Sequence, residues 1–367
     1  MAGPGIRYWE MARALELRGT QAVLLSRHVE KGFSPRGITF VGKASLANLV
    51  IWMARSDSVI QPGRPLAILL SLLFRKQLIF DQYDPVIFEF IERKPSTIAG
   101  KIHKSLMLLL WKIRQRIILR FGHRFLVANE KQKDFLIGQL TILGYTTKLD
   151  RITVLPFGLS VEKPVKRHPV LRGTKIKDTD FLLVWGGGIW DWFDPMSLLH
   201  AFVKIKQKRD DIKVYFPGLR PPNPDSRKMA AVDAFLKEAE SLGLLGNSVI
   251  VNAEWTPYEQ RADYLLEADA GISLHNDSLE TRFAFRTRML DYVWAGLPII
   301  ATKGDAWADL IERNGLGITV PPDDIDGIVR AIIKMADDTS FRMKSKEQVQ
   351  TIANDYGWDA LIVNLKL

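Results

Sequence analysis

The sequence predicts an α/β protein built on parallel sheets with helices on both faces. Three observations predict it. Short apolar runs alternate with helical patterns through the second half of the chain. Gly and Pro close the apolar runs. Capping residues bracket the helical patterns. A length of 367 residues gives room for two domains. Apolar residues at 47% and charged residues at 25% are the balance of a folded chain. The absence of cysteine excludes a disulfide scaffold, a zinc-thiolate site, an iron–sulfur cluster and a thiol nucleophile.

The first half is the less regular. The chain opens on Gly3-Pro4-Gly5 and an amphipathic helix over Tyr8–Leu17. A glycine loop feeding such a helix normally follows a strand, so the first strand of this domain is expected to be missing. Either the chain is truncated at its N-terminus or the loop serves another role. Ala22–Leu25, Leu78–Phe80 and Phe125–Ala128 read as buried strands, and Ile102–Phe121 as a helix.

The second half is regular. Phe181–Trp185 is a strand broken by Gly186–Gly188. Asp194-Pro195 supplies an N-cap and an N1 proline for a helix through Gln207. Strands over Lys213–Phe216 and Ser248–Asn252 flank a helix over Lys228–Leu242. Thr256-Pro-Tyr-Glu259 reads as a capping box opening a helix to Glu267. Ala270–Leu274 is a strand, Thr287–Ala295 a helix closed by Gly296, and Pro298–Ala301 a strand. Lys344–Leu367 reads as terminal helices. A sheet of this kind binds ligands beyond the carboxyl ends of its strands.

The net charge is +10, and it is uneven: residues 1–160 carry +13 and residues 161–367 carry −3. Arg93–Arg124 holds nine Lys/Arg and no acid. A basic amphipathic helix lying on anionic lipid is one reading; a core-facing helix with a solvated basic face is the other. No run is long enough to span a membrane, since the best, Leu66–Phe74, stops at Arg75-Lys76. No basic start with an apolar core marks a signal peptide. The expected location is cytoplasmic, with peripheral attachment to the inner face of the membrane open. The cations lack interleaved aromatics and any nucleic-acid motif, so nucleic acid is not the expected partner.

Several residues fall on the predicted binding edge. Gly186, Gly187 and Gly188 let backbone approach a ligand, although a triple glycine also makes a plain tight turn. Arg282, Arg286 and Arg288 crowd one strand-end loop, and guanidiniums suit phosphate as readily as they suit a salt-bridged cluster. Asp291 lies three residues after Arg288, close enough for an ion pair on one helix. The loops Pro217–Asn223, with Arg220, and Glu254–Tyr258, with Trp255 and Thr256, follow strands. His275 ends another. Asp81 and Asp84 follow a first-half strand, where a cleft ligand and a turn before Pro85 are both open readings. No acidic or histidine cluster has ligand spacing, so no metal and no resident cofactor are expected.

The segment from His275 through Arg282, Arg288, Asp291 and Ala295-Gly-Leu-Pro298 resembles the donor-binding region of GT-B glycosyltransferases, of the GT4-like retaining group. The Gly3–Leu15 loop and helix, Asp81–Pro85, Asn129–Asp134, Val154–Gly158 and Gly186–Pro195 look like its other landmarks. The resemblance spans nearly the whole chain. It implies two facing Rossmann-like domains with a cleft between. Residues 1–160 would form the acceptor side, 161–349 the donor domain, and a helix over 350–367 would pack back on the first domain with Trp358 as anchor. It implies transfer of a sugar from a nucleotide sugar to a glycan or lipid-phosphate-linked acceptor in cell-surface polysaccharide synthesis. Arg282, Arg286, Arg288 and Asp81 would serve catalysis. Gly186–Gly188, Arg220, Trp255, Thr256, His275, Glu280 and Asp291 would hold the donor, the last at the ribose. Gly3, Gly5, Arg7 and Asp84 would face the acceptor. Many members carry two glutamates eight positions apart. Here the position eight before Asp291 is Phe283 and Glu280 lies eleven before, so the first acid is missing or displaced. Some relatives carry a base three before the helix acid, as Arg288 is. Two other readings remain: a nucleotide-sugar epimerase on the same fold, and an inactive or truncated sugar-nucleotide-binding relative.

Overall fold

The computed structural model describes residues 4–29, 37–92, 97–160, 162–220, 230–252 and 254–365. The chain forms two compact units. One contains Pro4–Gly158, Phe283–Phe285 and Trp358–Leu367; the other contains Leu159–Arg282 and Arg286–Gly357.

The first unit runs α1 (Pro4–Leu17), β1 (Val23–Ser26), β2 (Phe40–Lys43), α2 (Leu46–Arg55), β3 (Ser58–Gln61), α3 (Pro65–Leu73) and β4 (Gln77–Asp81). It continues through α4 (Ile87–Glu92), α5 (Ile98–Phe121), β5 (Arg124–Val127), α6 (Glu130–Ile142) and β6 (Ile152–Val154). The second unit runs β7 (Phe181–Val184), α7 (Pro195–Lys206), β8 (Ile212–Phe216), α8 (Ala230–Ser241), β9 (Val249–Val251), α9 (Arg261–Leu265) and β10 (Ala270–Ser273). There follow α10 (Leu279–Phe283), α11 (Arg288–Ala295), β11 (Ile299–Thr302), α12 (Ala306–Asn314), β12 (Gly317–Val320), α13 (Ile325–Asp337) and α14 (Thr339–Ala353). A last short helix, α15 (Trp358–Leu361), belongs to the first unit.

The second unit's sheet is six parallel strands in the order β12-β11-β10-β7-β8-β9. Strands covered on both faces need apolar residues throughout, and β7, β8, β10 and β11 are buried at every position. Asp194 caps α7 by accepting from the Ser197 N–H, and Pro195 stands at N1. Leu198, Phe202 and Ile205 then fall on one face and pack on the sheet with Trp185, Phe216 and Phe235. The last two strands' helices, α12 and α13, were not anticipated.

The first unit's six described strands are also parallel, in two sheets. Strands β1 and β2 pair as one parallel sheet, and β3-β4-β5-β6 form another. No strand precedes α1 among the described residues. Helix α1 packs on both: Met11 and Ala14 against Ile79 and Leu126, Ala12 against Ala22 and Ile38. Trp358 is buried in the first of these clusters. A side chain at Gly158 would strike its ring at 2.7 Å, so the glycine is what admits it.

The Thr256 box does not open a helix as expected. The Thr256 hydroxyl donates to the Pro217 carbonyl at 2.7 Å, and α9 begins only at Arg261 after a short 3-10 turn. Its oxygen ties two strand-end loops together instead of capping.

Candidate functional site

The loops after β7, β8 and β9 converge at the carboxyl edge of the second sheet. Gly187 sits at φ 79, a conformation that favours glycine. A Cβ on Gly188 would lie 2.9 Å from the Leu219 carbonyl and 3.4 Å from the Trp255 ring. Gly218 meets the same ring. The glycines therefore let three loops close on Trp255. The Gly186 N–H donates to the Tyr292 hydroxyl at 2.7 Å, so it is not presented to a ligand. The next helix start is likewise taken, by the Asp194 carboxylate. Neither the Gly186 N–H nor the capped N–H at the start of α7 is therefore free for a ligand.

Arg288 begins α11 and is buried. One Nη donates to the Gly188 carbonyl at 2.7 Å, and the guanidinium lies 3.8 Å from the Phe193 ring centroid. Its Nη1 has no hydrogen-bond partner among the described residues. Burial pulls its pKa down to about 10, which leaves it charged at neutral pH. Asp291, one turn on, accepts from Arg261 Nε at 3.1 Å. Burial raises the Asp291 carboxyl, while Arg261 and Arg288 oppose the rise. Arg261 was not anticipated. Its guanidinium lies between the Tyr258 and Trp294 rings, 3.6 and 3.9 Å from their centroids. Tyr258 three residues before it was the only sequence signal.

The other predicted groups meet different surroundings. Arg286 and Glu280 form a buried bidentate pair at 3.0 and 2.7 Å, so Arg286 is committed before any phosphate arrives. Glu280 is thereby withdrawn from the donor sugar. His275 is fully buried, with Nε2 3.7 Å from Asp305 Oδ2, and does not reach solvent. Arg220 is exposed and pairs with Asp233 on α8. Arg282 is exposed.

Burial, helped by Arg286, holds His275 down to about 3 from 6.5. The folded state keeps it neutral, while the unfolded chain protonates it near 6.5. That contribution to stability is whole above pH 6.5 and is lost as pH falls toward 3. His275→Gln should flatten the fall in unfolding free energy over this window by up to about 1.4 kcal/mol per pH unit. Urea titrations at stepped pH measure it; an unchanged slope would mean that His275 titrates normally.

In the first unit, Arg7 and Asp81 are buried together and not presented to an acceptor. Arg7 donates to both Asp81 oxygens at 2.8 and 2.9 Å and to the Leu155 and Pro156 carbonyls at 3.0 Å. This corrects the assignment of Asp81 to catalysis and of Arg7 to the acceptor. Gly5 and Asp84 are exposed, and Gly3 lies outside the described residues. Phe283–Phe285 join this unit: Gln132 and Asn129 donate to their carbonyls, and Phe283 stacks on Phe88 at 4.6 Å.

Residues 181–338 match the glycosyl transferases group 1 family, from the first residue of β7 to just past α13. No curated protein matches the sequence. A glycosyltransferase from Rickettsia africae ESF-5 has TM-score 0.69 at 15% identity, over 99% of this chain and 93% of that one. WaaG, a glycosyltransferase involved in lipopolysaccharide biosynthesis, has 0.69 at 15%, over 100% and 98%. Anabaena HepE in complex with UDP-glucose has 0.68 at 14%, over 99% and 94%. At such identities the likeness is one of fold, and that fold is GT-B.

Proposed function

We propose that this chain, a GT-B-fold protein whose second domain matches glycosyl transferases group 1, is a retaining glycosyltransferase. It moves a sugar from a nucleotide-sugar donor to a glycan or lipid-linked acceptor, in cell-surface polysaccharide synthesis. The observation that carries the reading is Arg288: a buried guanidinium beside the glycine loop, with an N–H group left unpartnered. A buried, unsatisfied cation is costly, and an arriving anion relieves that cost. The donor diphosphate is such an anion. HepE was solved with UDP-glucose, a donor of this class.

In the proposed reaction the bond from the anomeric carbon to the diphosphate breaks, and its electron pair stays on the leaving phosphate. The acceptor hydroxyl oxygen bonds to that carbon on the same face and passes its proton to the departing phosphate oxygen. Arg288 stabilises the charge that develops on the diphosphate, with Arg282, exposed on α10, as a second cation. Asp291 accepts from the ribose once Arg261 yields it. Trp255 lines the position assigned to the base. No resident metal enters the proposal.

A thermal-shift panel of nucleotides and nucleotide sugars tests it. A true donor at about 100 times its Kd adds about 2.7 kcal/mol of stability. Asp291→Asn should weaken that donor by about tenfold, the worth of one hydrogen bond to a charged group. No shift with any common donor would remove the reading. Epimerised donor formed without acceptor would replace it.

A further inference from the structure

We infer that Arg27, Arg64 and Gln61 form a subsite for an anionic group, a phosphate or a carboxylate, carried by the acceptor. The subsite lies wholly within the unit that contains Pro4–Gly158. It rests on the transferase reading only in naming the acceptor as the carrier of that anion.

The topology sets the place. Gln61 is the last residue of β3, and Arg27 is the first beyond the end of β1. Arg64 follows three residues after Gln61 and stands at the N-cap of α3. Both arginines thus stand at the carboxyl ends of parallel strands, where such sheets take their ligands.

The charge there is uncompensated. Both arginines are exposed, and neither guanidinium has a hydrogen-bond or ion-pair partner among the described residues. Partial burial and the like charge of Arg27 hold the Arg64 guanidinium below its ordinary pKa. Asp81, the carboxylate that ends β4, is already taken by Arg7. An anion between two neighbouring guanidiniums turns their repulsion into attraction.

The backbone and Gln61 point to the same occupant. A cation has the wrong sign for a helix N-terminus, where the macrodipole favours negative charge. Yet no side chain caps α3, and its first turn holds no acid. Gln61 is 4% exposed. Its Oε1 accepts from the Arg64 N–H at 2.8 Å, which sets the amide against the start of α3. Its Nε2 is buried and has no hydrogen-bond partner among the described residues. A buried donor left unpaired is costly, so it marks a place for an acceptor atom. Beneath the loop, Arg114 of α5 donates to the Pro62 and Gly63 carbonyls. Gly63, at φ 103, makes room for it: a Cβ there would lie 2.9 Å from Arg114 Nη2. The Tyr8 hydroxyl acts on Arg64 and Arg114 alike, so this third cation stands near the same place. Guanidiniums and an amide N–H are all donors, and the set therefore suits an oxyanion and rejects a cation.

The test is calorimetric titration of the full chain with glucose 1-phosphate, with glucuronate and with neutral glucose, all without donor. One charged sugar should bind at least about tenfold more tightly than glucose, and the tighter of the two identifies the anion. Arg27→Gln and Arg64→Gln should each weaken it by about tenfold, the worth of one hydrogen bond to a charged group. Gln61→Glu keeps an acceptor for the Arg64 N–H and replaces the unpaired donor by an anionic oxygen, so it should weaken the charged sugar at least as much. The two arginine variants should keep or raise the parent's melting temperature, because each relieves a like-charge contact. Binding is read without nucleotide or sugar transfer, so failure of the transferase reading cannot be mistaken for failure here. The same titration on Arg288→Met separates the two edges. Binding lost in Arg288→Met but kept in Arg27→Gln and Arg64→Gln would assign the anion to the second unit and overturn the proposal. Equal binding of charged and neutral sugars, binding of none of the three, or binding indifferent to both arginine substitutions would overturn it as well.

Discussion

Arg288→Met should lower nucleotide affinity by about 10²-fold and the rate of sugar transfer by about 10²- to 10³-fold, the usual worth of one preorganised donor to a developing anion. The magnitude follows from placement. The guanidinium is buried against Phe193 and Trp185, so no water screens it, and its Nη1 is unpartnered among the described residues. Methionine has a similar length and can fill the same space. It removes a charge that burial disfavours, since the pKa is already drawn down to about 10. It also leaves the Gly188 carbonyl without its donor, which costs about 1–3 kcal/mol. These terms oppose, so stability should change little while binding collapses. Calorimetric titration of the donor identified by thermal shift, alongside urea unfolding, separates the two. Unchanged affinity with lowered stability would reduce Arg288 to a clamp on the glycine loop. Arg286→Met should do the reverse. It strands Glu280 as a buried carboxylate without its cation, costing about 3–5 kcal/mol of stability, and takes little direct contact from the donor.

The contrast between these two arginines shows what was legible in the sequence. Parallel-sheet alternation in the second half could be read almost strand by strand. Most of the strands are largely apolar runs, as β7 is throughout, and Asp194-Pro195 marks a helix start with local chemistry. Strand-end loops could be placed on the binding edge for the same reason. The partner of each charged side chain could not. Arg286 and Arg288 are two residues apart, yet one is bound by Glu280 and the other borders Gly188. That difference is made by loop paths, which leave no periodic trace. In the first half, β2, β3 and β6 escaped because three or four half-buried residues give too short a pattern. Helix α5 shows a different limit. Its spacing says which residues share a face, while only the packing of Ile118 and Leu119 says that this face is outward.

Asp81→Asn should destabilise the first domain by about 3–5 kcal/mol, because it leaves the Arg7 cation buried and uncompensated. The two residues are 74 apart in sequence, and each is almost wholly buried. The pair is bidentate, and Arg7 also donates to the Leu155 and Pro156 carbonyls. It links α1 to the end of β4 and to the chain after β6. Phe157, Tyr83 and Trp358 surround the guanidinium at 4.8, 5.3 and 5.9 Å. A group so enclosed has no free face for a substrate. The double variant Arg7→Met with Asp81→Leu removes both charges, so it should recover much of the loss, short of the two carbonyl bonds. A catalytic Asp81 predicts the opposite pattern. Asp81→Asn would then abolish transfer with little change in unfolding, and the double variant would remain inactive although stable. Unfolding free energies for Arg7→Met, Asp81→Leu and the double variant, set beside transfer rates at a temperature where these three and the parent are folded, decide between them. The cycle should show a coupling energy above about 2 kcal/mol in stability, with transfer by the double variant within about tenfold of the parent.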